Sequence, residues 1–155
     1  MWTSVPGKLI MTLLISMVPV IELRGAIPVA VAHGLPVWAA VCVSVVGNLI
    51  PVPFIVIFVR KIFAWIRRHA PKLDGFVTRL EEQAAKKSDL VRKFSFWGLF
   101  VLVAIPLPGT GAWTGALIAA MLEMRLKHAF PAIALGVVAA GIVVGLAALG
   151  IVHIF

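Results

Sequence analysis

Apolar positions run along this chain in long blocks, Leu9 to Ile21, Ala26 to Val59, Phe94 to Leu122 and Ala129 to Phe155. The polar stretches between them are very unequal: a short one at Glu22 to Gly25, a long one from Arg60 to Lys93, and a turn at Glu123 to His128. A helix needs about twenty apolar residues to cross a hydrocarbon core of about 30 Å. The first block has only thirteen, so it either continues through Glu22 and Arg24 or turns back at them. Turning back makes a hairpin over about residues 8–34, whose returning half-helix runs from Ala26 to about His33 with Pro28 in its first turn. Gly34-Leu35-Pro36 marks its exit. Residues 36–59 then form a full span, kinked near Asn48, Pro51 and Pro53.

The third block repeats this order. Residues 94–122 suit two half-helices meeting at Pro106 to Gly111, and residues 129–155 form a last span in which Gly136, Gly141, Gly145 and Gly150 suit close helix packing. Superposing Arg24-Gly25-Ala26 on Thr110-Gly111-Ala112 brings the start of the first full span onto the polar turn before the last one. The expected fold is therefore an all-α integral membrane protein. Residues 1–59 and 94–155 form an inverted repeat, each half a re-entrant hairpin plus one transmembrane helix. Between them, residues 60–93 form a connector in which Leu73, Phe76, Val77, Leu80, Ala84 and Val91 share one helical face. Glu82 and Lys86, and Asp89 and Lys93, stand at favourable i,i+4 spacing.

Composition agrees: 62% of the residues are hydrophobic and 13% charged, more apolar surface than one small soluble core can bury. Ten of the fourteen Lys and Arg residues fall between Arg60 and Lys93, so the excess positive charge reads as one cytoplasmic segment of a multi-pass inner-membrane protein, not as a nucleic-acid surface. Re-entrant hairpins place Arg125 and Lys127 on that same side, whereas four plain spans place them outside, against the charge rule. Lys8 is the only basic residue before the first apolar block and no cleavage pattern precedes Glu22, so the first segment is expected to be retained. Cys42 lies in an apolar run, and no disulfide or thiolate metal site is expected.

The chemistry concentrates at two broken stretches. In Pro19-Val-Ile-Glu22-Leu-Arg24-Gly25-Ala-Ile-Pro28, a carboxylate and a guanidinium stand at membrane depth, where ionisable groups are costly and usually functional. The second, Pro106-Leu-Pro108-Gly109-Thr110-Gly111-Ala112-Trp113, carries no charge. Pro19, Pro28, Pro106, Pro108 and Gly109 shape the hairpins, and two such breaks in corresponding halves point to a transporter site. Glu22 is the candidate proton-coupling group; its structural alternative is an ion pair with Arg24 that pins the hairpin tip, which the i,i+2 spacing permits only at a break. Arg24 suits a substrate phosphate through its planar fork of donors, or carbonyls left open at a broken helix end. Gly25, Thr110, Gly111 and Trp113 complete the candidate binding set, with Thr110 and Gly111 offering N–H groups and a positive dipole end to an anion. His33 is a candidate relay or an interfacial histidine.

No aspartate lies in an apolar segment, and neither His-Glu-x-x-His nor Gly-x-Ser-x-Gly occurs, so an enzyme, a cofactor and a metal are not expected.

Across nearly the whole chain the two motifs, Glu22 to Pro28 and Pro106 to Trp113, resemble those of the small multi-drug export proteins. That family is similar in turn to the DedA superfamily, whose members have two facing re-entrant hairpins, are linked to proton-dependent transport and include carriers of polyprenyl phosphate or phospholipid. The resemblance implies a DedA-like fold and a proton-coupled carrier of an anionic lipid-like substrate. The DedA pattern has further intramembrane acids and arginines near the second hairpin, absent here between Phe94 and Leu122. A proton-coupled exporter of lipophilic cations is the alternative, and a non-transporting membrane scaffold a second. The expected partners are the bilayer, an anionic lipid or hydrophobic small molecule, protons and a second copy of the chain.

Overall fold

A serine starts the first helix. In the computed structural model, which describes residues 3–18, 21–105 and 111–154, Ser4 accepts the Gly7 N–H at 3.2 Å and caps α1, Val5–Ser16. This satisfies a donor that a helix start leaves open. Next come α2, Glu22–Ala32, and α3, Val37–Leu49, joined through His33 and Gly34, whose φ of +89° suits glycine. Helix α4, Pro51–His69, follows at the single joint residue Ile50. Pro51 and Pro53 have no N–H for the carbonyls of Gly47 and Leu49. Ile50 keeps helical angles and donates to Val46 O at 3.1 Å, and the chain bends there between the two helices, where the prolines predict a kink. Together α3 and α4 form one 33-residue stretch, Val37–His69, long and apolar enough to cross a membrane.

The connector begins later than its polarity suggests. Arg60, Lys61, Arg67 and Arg68 extend α4 beyond Val59, because Arg and Lys are good helix formers and stabilise a helix C-terminus. A 3₁₀ turn at Pro71–Leu73 leads into α5, Asp74–Lys87, and α6, Asp89–Phe94. Val77, Ala84 and Val91, seven residues apart, are all buried, while Leu73 and Phe76 are exposed. Glu82–Lys86 and Asp89–Lys93 are not ion-paired. Arg67 instead bridges Asp74 at 2.9 Å and Glu81 at 2.7 Å.

Ser95, at φ +49°, turns the chain into α7, Phe96–Ala104. Beyond the second broken stretch come α8, Ala112–Met121, and α9, Leu126–Ile154. Its portion Leu126–Ile151 is the second stretch that passes the length and hydropathy test for a membrane span. The remaining apolar helices α1, α2, α7 and α8 have 12, 11, 9 and 10 residues. At 1.5 Å per residue none reaches beyond about 18 Å.

Two contacts place ends of these short helices. Lys8 Nζ of α1 lies 3.4 Å from the place of a Gly34 Cβ, so α1 begins where α2 ends. Glu123, just after α8, pairs with Arg60 of α4 at 2.6 Å, which puts the end of α8 at the connector end of the long helix. Helix α9 packs on α7 through Gly136, where a Cβ would come within 2.7 Å of Val103 Cβ, and on α3 through Gly141 and Gly145 opposite Val45 and Val41. A Cβ at Gly150 would meet nothing within 4 Å among the described residues of the chain, unlike one at the other three. The core between these helices is aliphatic, with Leu23, Ile27, Val52, Leu99, Ile118 and Ile133 fully or almost fully buried. Trp38, Phe54, Trp65, Trp97 and Leu146 face outward.

Candidate functional site

Helix α2 starts four residues earlier than the motif suggests. It opens at Glu22, so Pro28 lies in its interior rather than its first turn, and the Arg24 carbonyl has no N–H four residues on. Gly25 therefore sits within α2 while Gly111 precedes α8, so the superposition of the two motifs does not align their helix starts. Gly25 leaves space for the Ile21 side chain of its own turn and does not line the cavity. Pro19, Pro106, Pro108, Gly109 and Thr110 lie outside the described residues.

Glu22 is 5% exposed and has φ +49°, a left-handed conformation that costs a non-glycine residue about 1–2 kcal/mol. Such strain is held in place only by its surroundings, and here these include Gly111 and Trp113. The Glu22 carboxylate accepts the Trp113 N–H at 3.3 Å, in the first turn of α8, where the helix dipole favours a negative charge. Gly111 presses against the same carboxylate, and a Cβ there would collide with it. Arg24 donates from Nη2 to the Ile105 carbonyl at 3.2 Å, at the C-terminal end of α7, where the dipole favours a positive charge. The two side chains stand 3.8 Å apart. The charged tip of α2 thus sits across the gap between α7 and α8, each charge on the helix end of opposite sign. Trp113 adds a bond from its indole Nε1–H to Met17 O at 3.1 Å, tying α8 to the end of α1.

The Glu22 carboxylate takes the Trp113 N–H at the N-terminal end of α8, where the sequence suggests an anion, and Gly111 gives it room for this close approach. The arrangement also joins the alternatives for Arg24, which bonds a carbonyl at a helix end and still reaches a cavity. That cavity, about 590 Å³, lies between α4, α5 and α8. Ile55, Val59, Phe63, Phe76, Leu80 and Leu117 give it apolar walls; Glu22, Arg24, Gln83, Lys87, Trp113 and Thr114 supply its polar groups. Gln83 and Lys87 were not legible as site residues, since nothing in the connector's own sequence tells which helix it covers. His33 stands apart at the end of α2, with Nδ1 2.8 Å from Val29 O of its own helix.

A chain with two membrane-length apolar helices and an internal charged pair held at the meeting point of four short helices is a small helical membrane protein. It belongs to the family described as "Putative small multi-drug export protein", whose model matches residues 22–143, and so stands among membrane transporters. No curated protein and no solved structure matches the chain.

Proposed function

We propose that this protein is a proton-coupled carrier of an anionic, lipid-like substrate, with α1–α2 and α7–α8 as two re-entrant hairpins of an inverted repeat. Three features support the hairpins: the shortness of the four helices, the meeting of Lys8 with Gly34, and the Arg60–Glu123 pair. The first hairpin then opens opposite the basic connector and the second opens beside it, with Arg125 and Lys127 on the cytoplasmic side of the inner membrane.

The cavity carries the substrate assignment. Its size is that of a ligand pocket, its walls suit a hydrocarbon chain, and its charged lining sets one carboxylate against two cations, Arg24 and Lys87. Protonation of Glu22 removes the negative charge from that lining, so proton and anion favour each other's binding, and by linkage the effect is reciprocal. A cationic drug would meet the opposite balance.

Calorimetric titration of the purified protein with a short-chain isoprenyl phosphate tests this reading. Affinity is expected to rise as pH falls, to drop at least tenfold in Arg24→Ala, a charged hydrogen bond being worth about 1.5–3 kcal/mol, and to lose its pH dependence in Glu22→Gln. Binding of tetraphenylphosphonium that competes with protons and survives Arg24→Ala would establish the exporter of lipophilic cations instead. The hairpins are tested by an impermeant maleimide on Cys42→Ala protein carrying Lys86→Cys or Lys127→Cys. Both positions should react only in inside-out vesicles, and labelling of position 127 from outside would make α7–α8 a plain span.

A further inference from the structure

Two buried polar side chains take no part in the site as described. Ser44 and Asn48 lie one turn apart on the same face of α3, Ser44 fully buried and Asn48 1% exposed. Neither Ser44 Oγ nor Asn48 Oδ1 has a hydrogen-bond partner among the described residues. Unsatisfied buried polar atoms destabilise a fold, and few persist without a use. Serines in helices usually relieve the problem by bonding back to their own turn. Thr12 and Ser16, buried on the neighbouring α1, do this, donating to Lys8 O and Leu13 O, both at 2.7 Å. Ser44 does not.

Their position gives them meaning. Asn48 lines a narrow crevice that shares only Glu22 and Arg24 with the substrate cavity. The cavity is built from the connector half of the long helix, at Ile55, Val59 and Phe63, whereas Ser44 stands on the other half, toward Val37. Gly47 packs directly on Ser16, which brings α1, with Ser16 and Thr12, against the half of α3 that carries Ser44 and Asn48. The crevice is too narrow for water, closed by Val103, Ala112, Val137 and Ala140 from α7, α8 and α9.

Resting on the proton-coupled reading above, we propose that Ser44 and Asn48 line a second, alternately opened water route by which protons reach Glu22 from the membrane face opposite the connector. In the closed state shown here, the Glu22 carboxylate holds α8 through the Trp113 N–H and lies 3.8 Å from Arg24, which bonds the end of α7. A proton from water on the far face adds to that carboxylate, removes its charge and weakens both interactions. The α7–α8 pair, which closes the crevice over Asn48 through Val103 and Ala112, is then free to move, and the crevice opens to water arriving past Ser44. Loss of the proton toward the cavity restores the carboxylate and closes the crevice. The charged groups around Glu22 are Arg24 on its own helix and, across the cavity, Lys87 of α5; the crevice brings no other charge.

Side-specific thiol labelling tests this in Cys42→Ala protein carrying Ser44→Cys, a nearly isosteric change, or Asn48→Cys. An impermeant thiol reagent should react at both positions only from the face opposite that which labels Lys86→Cys, and at least tenfold faster when Glu22→Gln is added. Labelling from the connector face, or no acceleration by Glu22→Gln, overturns the route. Asn48→Leu supplies the second measurement: equal or higher thermal stability, since an orphaned polar group is removed, with at least tenfold slower proton uptake into vesicles read by an enclosed pH dye. Unchanged uptake also overturns it. Failure of the underlying transport reading looks different: in the same vesicles, uptake would be indifferent to Glu22→Gln itself.

Discussion

Gly111→Ala isolates the contact on which the site turns. Its φ of +152° is one that L side chains rarely adopt, and the added Cβ collides with the Glu22 carboxylate. The backbone part costs about 1–2 kcal/mol, by analogy with other positive-φ conformations. The steric part drives Glu22 from the Trp113 N–H, a charged hydrogen bond worth about 1.5–3 kcal/mol. The single substitution should therefore destabilise by about 2.5–5 kcal/mol, and at about 2–4 °C per kcal/mol for a chain of this size lower the melting temperature by roughly 5–20 °C. Glu22→Ala removes the carboxylate and with it the second part, so Gly111→Ala in that background should cost only the backbone share. The coupling energy of the double-mutant cycle is then about 1.5–3 kcal/mol. Denaturant titration of the four proteins in mixed micelles, followed by tryptophan fluorescence, measures it. Additivity within about 0.5 kcal/mol would refute the docking of Glu22 on Gly111 and α8.

Two further outcomes follow from the packing and the surface charges. Gly136→Ala should lose about 1–3 kcal/mol through overpacking against Val103 and the Phe100 carbonyl and recover little of it with Val103→Ala, which keeps the nearest atom, Val103 Cβ, whereas Gly150→Ala, with open space around it, should gain up to about 1 kcal/mol; thermal melts of the three proteins check this. Arg60→Ala should change stability by no more than about 1 kcal/mol and lose its effect in high salt, because Arg60 and Glu123 are 58% and 68% exposed; melts at low and high ionic strength check that.

How much of this was legible in the sequence varies with the range of the interaction involved. Helix α9 and the long α3–α4 stretch were readable because apolar runs of that length have few other uses, and the buried face of the connector showed in the spacing of Val77, Ala84 and Val91. The end of α4 was misplaced because a change of polarity at Arg60 was read as a change of structure, although Arg and Lys continue a helix well. The start of α2 was misplaced because no capping residue marks it: Ile21 precedes Glu22, and tertiary contacts hold the helix open there. That the motif carries a paired acid and base was plain. What they pair with was not, since Ile105 and Trp113 lie 81 and 91 residues away and no local pattern encodes that distance. Asn48 was visible only as an interruption; its burial against the Glu22 crevice depends on α7 and α9.

The separation of 91 residues between Glu22 and Trp113 has a consequence for how the protein is made. Chains are extended at about 5–20 residues per second, so for about 5–20 s after Glu22 and Arg24 are synthesised the helix ends that neutralise them do not yet exist. On the re-entrant topology proposed above, which puts the tip of α2 at membrane depth, each charge costs about 2.5–3.5 kcal/mol on insertion scales. The first half therefore has reason to wait at the membrane surface or inside the insertion machinery until α7 and α8 arrive. On that topology, assembly of the membrane-embedded part is timed by its last-made half, and a ribosome stalled near residue 105 would leave the tip of α2 outside the hydrocarbon.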